Sequence, residues 1–290
     1  MKLGFIGFGE AASEIACGLR ADGLQEIYAY DIMQNDQRFA SKIRDNAERT
    51  GAVLVNDYQQ LADTVEMIFA IVPPNCAADA ASAVKPYLRP GMLYADLSSS
   101  TPDGEKTIAA ILDGSGVEFA DGAIMGAPIN YQNRVPILAC GSGAQRMQDE
   151  MNAYGMHIRA IGETIGAASA IKLIRSIYMK GTAALGMEML QAAGYYGVAD
   201  EVVESIRETM DSKTFLQTLN RLTTSTTIHA ERRVHELEGS IQMLEEAHLD
   251  STMVKAAHDK HVFVADKHYR ERLGAVPPAD WREVIRLLNE

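Results

Sequence analysis

The stretch KLGFIGFGEAA at residues 2–12 decides the fold. After the leading lysine it is apolar, and residues 2–8 read as a strand buried on both faces. It then enters Gly7-Phe8-Gly9-Glu10-Ala11-Ala12, a G-x-G-x-x-A turn. The first glycine permits a tight reversal, and the second lets backbone approach a pyrophosphate. The small residue at the third place lets the next helix pack closely on the strand, with its first N–H groups facing the phosphates. Such a pattern alone is weak, but its surroundings agree with it. A helical pattern follows at 11–20, and then a second strand at 26–31 that ends on Asp31, 22 residues past Gly9. A carboxylate at that place accepts hydrogen bonds from the hydroxyls of an adenosine ribose.

A nicotinamide dinucleotide is therefore expected on Gly7, Phe8, Gly9, Glu10 and Ala11, with Asp31 at the ribose. A carboxylate there repels a 2′-phosphate, and the nearest following arginine is Arg38. NAD is expected over NADP. Two further strands, at 67–72 and 93–98, run out into Val72-Pro73-Pro74 and Ser98-Ser99-Ser100. In an open parallel sheet ligands lie beyond the C-terminal ends of strands, so Val72 and Pro73 join the cofactor candidates. Taken singly, each of these segments reads as readily as a plain loop.

Outward from this core, strands are also expected at 117–125 and 136–141, with helices at 36–49, 76–85 and 104–112. Apolar strands alternating with helices predict a doubly wound parallel sheet of the Rossmann type over 1–163. Beyond Gly166 the strand signals vanish. Residues 167–193 carry no proline and read as one long helix, ending near Gly194 and Gly197. Helices at 200–210, 213–222, 228–246 and 251–273 follow, with a last one after Pro277-Pro278. An α/β domain at 1–163 and an all-α domain at 164–290 are expected.

Hydrophobic content of 47% and charged content of 23% fit ordinary globular domains, while a net charge of −12 argues against nucleic acid or an anionic membrane as partner. Cys17, Cys76 and Cys140 are odd in number and far apart, without a C-x-x-C or a spaced histidine partner. Reduced core thiols and no metal site are expected. The N-terminal residues enter a strand at once and do not resemble a signal peptide. No apolar run reaches the ~18 residues of a membrane span, and a cytoplasmic protein is expected.

On the long helix Lys172, Arg175, Ser176 and Lys180 stand at offsets 0, 3, 4 and 8, which share one helical face. Their neighbours Ile171, Leu173, Ile174 and Ile177 are apolar. Charges on so apolar a helix either snorkel to solvent or line a wet cavity that holds an anion. Burial beside other cations would make Lys172 a general base.

These motifs resemble the β-hydroxyacid dehydrogenase family, which includes 3-hydroxyisobutyrate, tartronate semialdehyde and 6-phosphogluconate enzymes. Four segments match in order. Gly7–Ala12 is similar to the dinucleotide turn, and Asp96-Leu97-Ser98-Ser99-Ser100-Thr101-Pro102 to D-x-S-T-x-x-P. Asp121-Gly122-Ala123-Ile124-Met125-Gly126-Ala127 resembles D-A-P-V-S-G-G. Gly166-Ala167-Ala168-Ser169-Ala170-Ile171-Lys172 resembles the G-x-G-x-x-x-K that carries the family's catalytic lysine. The resemblance implies Lys172 as acid–base group in hydride transfer between NAD(P) and a small hydroxy acid. It further implies substrate contacts from Ser98, Ser99 and Gly126, an anion held by Arg175, Ser176 or Lys180, and a homodimer formed through the C-terminal helices.

The departures are informative. Ser176 stands where the family places an asparagine, and Met125 and Ala127 replace a serine and a glycine. Met179 replaces the glutamate acid of the 6-phosphogluconate enzymes, which argues against decarboxylating chemistry. The segments at 170–182 and 229–236 resemble a branch of phosphogluconate-dehydrogenase-like proteins with their own helical C-terminal domain. His229, Arg232 and Arg233 there read either as substrate ligands or as a solvated helix face. Two other readings compete: an imine reductase, in which another residue generally replaces the lysine, and a dinucleotide-binding regulator without chemistry. A short-chain dehydrogenase is excluded, because no tyrosine has a lysine four residues on.

Overall fold

The computed structural model describes residues 1–290. The chain forms two compact units, Met1–Ile177 and Tyr178–Glu290. In the first, the strands are β1 (Lys2–Ile6), β2 (Glu26–Tyr30), β3 (Val53–Leu54), β4 (Met67–Ala70), β5 (Leu93–Asp96), β6 (Glu118–Ile124), β7 (Pro136–Cys140) and β8 (His157–Ala160). Its helices are α1 (Glu10–Ala21), α2 (Ala40–Thr50), α3 (Tyr58–Thr64), α4 (Ala77–Val84), α5 (Pro102–Leu112), α6 (Pro128–Tyr131) and α7 (Ala144–Asn152). Helix α8 (Ala167–Tyr196) begins there and continues into the second unit.

The strands form one sheet in the order β3-β2-β1-β4-β5-β6-β7-β8. Chain direction across the sheet reverses between β1 and β4, so the turns after these two strands flank the crevice where such folds take ligands. Successive side chains alternate between the faces. Leu3, Phe5, Met67, Phe69 and Leu93 join one buried cluster with α1 residues Ile15 and Leu19. Ile6, Ile68, Ala70 and Tyr94 join another with Leu61, Val84 and Ile108. This is the doubly wound α/β sheet read from the sequence, but β7 runs antiparallel to β6, with Asp121 opposite Cys140. The connection through α6, residues 125–135, is short for a parallel crossover, which usually takes a dozen or more residues.

The second unit is helical, with α9 (Ala199–Asp211), α10 (Phe215–Glu246), α11 (Thr252–Ala265), α12 (Tyr269–Arg272) and α13 (Trp281–Leu288) after the end of α8. Helix α8 passes through Gly194 and stops at Gly197. There the left-handed φ of +69° and the bond from Val198 N to Ala193 O (3.0 Å) form a Schellman end. The two helices expected at 213–222 and 228–246 run on from one another as two segments of α10 that meet at a kink, where His229 leaves helical geometry (φ −118°, ψ 16°). Thr223, Thr224, Ser225 and Thr226 bond back to carbonyls four residues earlier, at 2.6–2.9 Å, a pattern that bends helices and here precedes the kink. The helix expected at 251–273 is instead α11 and α12, separated at His268 with φ +52°. Glu188 of α8, 8% exposed, caps the start of α11 by accepting from Met253 N (2.7 Å) and Val254 N (2.8 Å). No helix of the chain is long and apolar enough to cross a membrane.

Candidate active site

The dinucleotide turn has the geometry its glycines predict. Gly7 has φ +82°, and a Cβ there would sit 2.4 Å from Ile71 O and 2.8 Å from Val72 Cγ1. Only glycine fits, and Gly7 N donates to Tyr30 O at 2.9 Å to fix the reversal. Gly9 differs: a Cβ there would meet nothing within 4 Å, so its surface is open. Gly9 is the N-cap of α1 and supplies no side-chain acceptor for the first-turn N–H groups. An open glycine before an uncapped helix suits a pyrophosphate. Phe8 is fully buried, its ring edge-on to Phe5 at 5.6 Å, so it offers only backbone to the turn, whereas Glu10 is exposed.

Asp31 lies against this turn. Its Oδ2 accepts from Phe8 N and its Oδ1 from Met33 N, both at 2.8 Å. The carboxylate therefore ties the end of β2 to the glycine turn. Arg38 is spoken for by Asp36 at 3.0 Å, on the surface. Val72 and Pro73 follow β4, Val72 half-buried and Pro73 exposed, and Val72 N donates to Ser98 Oγ at 3.1 Å.

Of the substrate candidates, the structure brings Ser99 and Lys172 together. Ser99 lies just beyond β5 with φ +65°, an uncommon backbone for serine. Its Oγ accepts a hydrogen bond from Lys172 Nζ, which reaches it from the second turn of α8. Ser98 is 5% exposed and spends its hydroxyl on the backbone, donating to Ala70 O (3.3 Å) while accepting from Val72 N. Arg175 is exposed and Ser176 half-buried, while Lys180 is exposed on the part of α8 in the second unit. Gly126 is exposed beyond β6, and a Cβ there would come 3.2 Å from Val135 Cγ2.

A buried acidic layer, not singled out from the sequence, lies next to this pair. Asp96, Glu105 and Asp121 are each at most 1% exposed. Asp96 ends β5 and accepts from Ser100 Oγ (3.2 Å). Asp121 on β6 accepts from Gly166 N (2.9 Å), Ser169 Oγ (2.8 Å) and Cys140 Sγ (3.2 Å). Burial pushes the Cys140 thiol up to about 11. Glu105 of α5 lies against both aspartates, and burial followed by their charges pushes it up to about 10, so it is a neutral acid near pH 7. One signal was available: Glu105 occupies the buried face of α5 with Ile108 and Leu112, where helical spacing calls for a hydrocarbon.

The remaining candidates fall elsewhere. Arg233 turns back onto its own helix, donating to Ser225 Oγ (2.8 Å), Thr226 Oγ1 and Leu222 O (3.4 Å) around the kink. Burial, and then neighbouring Arg232, holds its guanidinium below the ordinary value. Arg232 faces Glu236 at 3.4 Å. Of the three cysteines only Cys140 is buried; Cys17 is half-buried and Cys76 is exposed, because it ends a surface 3₁₀ turn after Pro73.

Comparisons with known proteins bear on the family and the fold. The model described as the NAD binding domain of 6-phosphogluconate dehydrogenase matches residues 2–162, and a domain of unknown function (DUF1932) matches 193–264. A conserved hypothetical protein from Sinorhizobium meliloti 1021 is 30% identical, over 99% of this chain and 95% of that one, with a TM-score of 0.64. The 2-(hydroxymethyl)glutarate dehydrogenase of Eubacterium barkeri is 22% identical over 71% of this chain and 68% of its own. An imine reductase from Myxococcus stipitatus, solved with NADP+, shares the fold at 17% identity and a TM-score of 0.74, over 99% of this chain and 100% of its own. With the glycine turn, the motif order and a domain match over more than half its length, the chain belongs to the β-hydroxyacid dehydrogenase family marked by the NAD binding domain of 6-phosphogluconate dehydrogenase.

Proposed function

We propose that this protein transfers a hydride between NAD and a small anionic hydroxy acid, with Lys172 as the acid–base group. The observation that carries this reading is the hydrogen bond from Lys172 Nζ to Ser99 Oγ, which joins the family's lysine position to its serine motif. When bound, the nicotinamide supplies or accepts the hydride. Gly7, Gly9 and the first turn of α1 hold the pyrophosphate, Asp31 faces the ribose, and Val72 and Pro73 line the crevice beside them. In the oxidative direction Lys172 Nζ takes the proton of the substrate hydroxyl, and in reduction it returns that proton to the forming alkoxide. Ser99 orients the lysine and the substrate oxygen. The backbone at Gly126 and the exposed cations Arg175 and Lys180 hold the carboxylate.

A homodimer is part of the same proposal. In the second unit Met187, Tyr195 and Phe215 are 73%, 61% and 60% exposed, and α9 contributes no buried residue. Apolar surface on this scale is typical of an interface between copies.

The imine reductase fold likeness supports a second reading, reduction of a C=N bond, in which Lys172 would be dispensable. The test is turnover by the purified protein of a panel of small hydroxy acids with NAD or NADP, beside cyclic imines with NADPH, followed by nicotinamide absorbance. Oxidation of a hydroxy acid is the expected result. Turnover of imines alone would overturn the proposal in favour of the second reading. Dinucleotide binding without any turnover would favour a regulatory role.

A further inference from the structure

We propose that Glu105 is a positioning residue that ties the 98–100 loop to the first turn of α8, and so fixes the Lys172–Ser99 pair from the protein interior. The proposal rests on the assignment of Lys172 for its catalytic consequence, but the tie itself is a matter of geometry.

Lys172 and Ser99 sit on separate pieces of chain, and each piece is anchored to a buried acid. On the loop side, Ser100 Oγ donates to Asp96 Oδ2 at 3.2 Å, next to Ser99 with its left-handed backbone. On the helix side, Gly166 N and Ser169 Oγ donate to the two oxygens of Asp121 at 2.9 and 2.8 Å. Ala168 N adds a bond to Cys140 Sγ at 3.4 Å. Ser169 precedes Lys172 by three residues, so it shares the lysine's side of the helix. Glu105 joins the two anchors: its Oε1 lies 3.4 Å from Ser169 Oγ, and its carboxyl pairs with that of Asp96.

The pairing of two acids requires a proton. Asp96 Oδ1 and Glu105 Oε2 are both buried oxygens with no hydrogen-bond donor among the other groups of the chain. A single proton between the two carboxyls satisfies both, whereas two bare carboxylates would leave a buried like-charge pair. The titratable groups facing Glu105 are Asp96 and Tyr94 of β5 and Asp121 of β6, with Cys140 of β7 beyond Asp121. Burial and the acids all favour the neutral form, which is why this carboxyl titrates at about 10. The Asp96 carboxyl is raised too, by burial, and the serine hydrogen bonds offset part of that rise.

The sign of the pH effect follows. Glu105 holds its proton more tightly in the folded chain than in the unfolded one. The stability it contributes is complete below the unfolded value of 4.5 and is lost as pH rises towards about 10. Glutamine at this position cannot ionise, and it retains a donor for Asp96.

The test uses the full chain as wild type, Glu105→Gln, Glu105→Ala and Ser169→Ala. Hydrogen–deuterium exchange reads the peptides that cover 98–101 and 166–172, and melting temperature is followed from about pH 5 to about pH 9. Glu105→Gln should keep both peptides protected, and wild type should lose melting temperature relative to it as pH rises. Glu105→Ala should speed exchange in both peptides roughly tenfold or more while leaving β1 and α1 unchanged. Ser169→Ala should loosen 166–172, and it serves if Glu105→Ala does not fold. In turnover Glu105→Ala should lower kcat by roughly 10- to 100-fold with the KM for dinucleotide unchanged, and Glu105→Gln should rescue it. Unchanged exchange in both alanine variants would overturn the proposal, as would a melting difference between wild type and Glu105→Gln that does not vary with pH. Loosened peptides with unchanged kcat would leave the tie standing and overturn the role of Lys172 instead.

Discussion

Gly7 and Gly9 share one motif, yet the structure assigns them different duties that two alanine variants separate. At Gly7 an alanine must adopt φ +82°, which costs an L-residue roughly 1–2 kcal/mol. Its Cβ would also lie 2.4 Å from the Ile71 carbonyl oxygen, a backbone atom held in the sheet, so the turn must shift. Overpacking of this kind adds about 1–3 kcal/mol. At about 2–4 °C per kcal/mol, Gly7→Ala should lower the melting temperature by roughly 4–20 °C. At Gly9 the φ is −74°, and the added methyl meets nothing within 4 Å. Only a slightly poorer N-cap remains, worth about 0.5 kcal/mol, or roughly 1–2 °C. That methyl would occupy the space the proposal gives to the pyrophosphate, so Gly9→Ala should weaken dinucleotide binding by about 10- to 100-fold, or roughly 1.4–2.8 kcal/mol. Calorimetric melting and titration with NAD measure the two effects separately. A Gly9→Ala protein that binds NAD as tightly as wild type would refute the placing of the pyrophosphate on this turn. A Gly7→Ala protein with unchanged melting would refute the clash with Ile71.

Other outcomes are equally specific. NAD should bind at least about tenfold more tightly than NADP, because a 2′-phosphate would meet Asp31; equal dissociation constants by calorimetry would show that this carboxylate does not face the ribose. Lys180→Ala should raise the substrate KM by about tenfold and leave kcat near wild type, the pattern of uniform anion binding; a fall in kcat alone would contradict that role. Light scattering at micromolar concentration should give twice the 31.6 kDa chain mass, and a monomer mass would remove the proposed homodimer.

Much of the fold was legible because the inner strands are apolar on both faces. Leu3, Phe5, Phe69 and Tyr94 are fully buried, and their runs stand out without any alternation. The outer elements were not legible. Strand β3 has two residues, and β8 reads His-Ile-Arg-Ala with His157 and Arg159 exposed, too short for a period to emerge. Helix α7 was missed because its buried residues, Ala144, Met147 and Met151, are thinly spread among charged and amide side chains. Helix α2 starts at Ala40 rather than at 36, since Asp36 is used on Arg38 in the preceding turns.

At the candidate site, the motif glycines and Asp31 were singled out by their spacing, and Ser99 and Lys172 by the family resemblance; the structure brings the last two together. The sequence did not reveal that Asp31 spends both oxygens on backbone N–H groups, or that Ser98 faces the sheet rather than open space. The acidic layer escaped notice because carboxylates are ordinarily surface groups. Only the placing of Glu105 in register with Ile108 and Leu112 hinted otherwise.

The most direct test of Lys172 is the steady-state kcat of Lys172→Ala on the best hydroxy acid from the panel, with NAD affinity titrated in parallel. Loss of the acid–base group should lower kcat by roughly 10²- to 10⁴-fold. The NAD dissociation constant should stay within about twofold, because in the proposed arrangement Gly7, Gly9 and Asp31 hold the dinucleotide. Lys172→Arg should give no rescue, because a guanidinium cannot accept the proton at working pH. A Lys172→Ala protein that keeps most of its turnover would mean that the proton is handled elsewhere, and would contradict the assignment at its central residue.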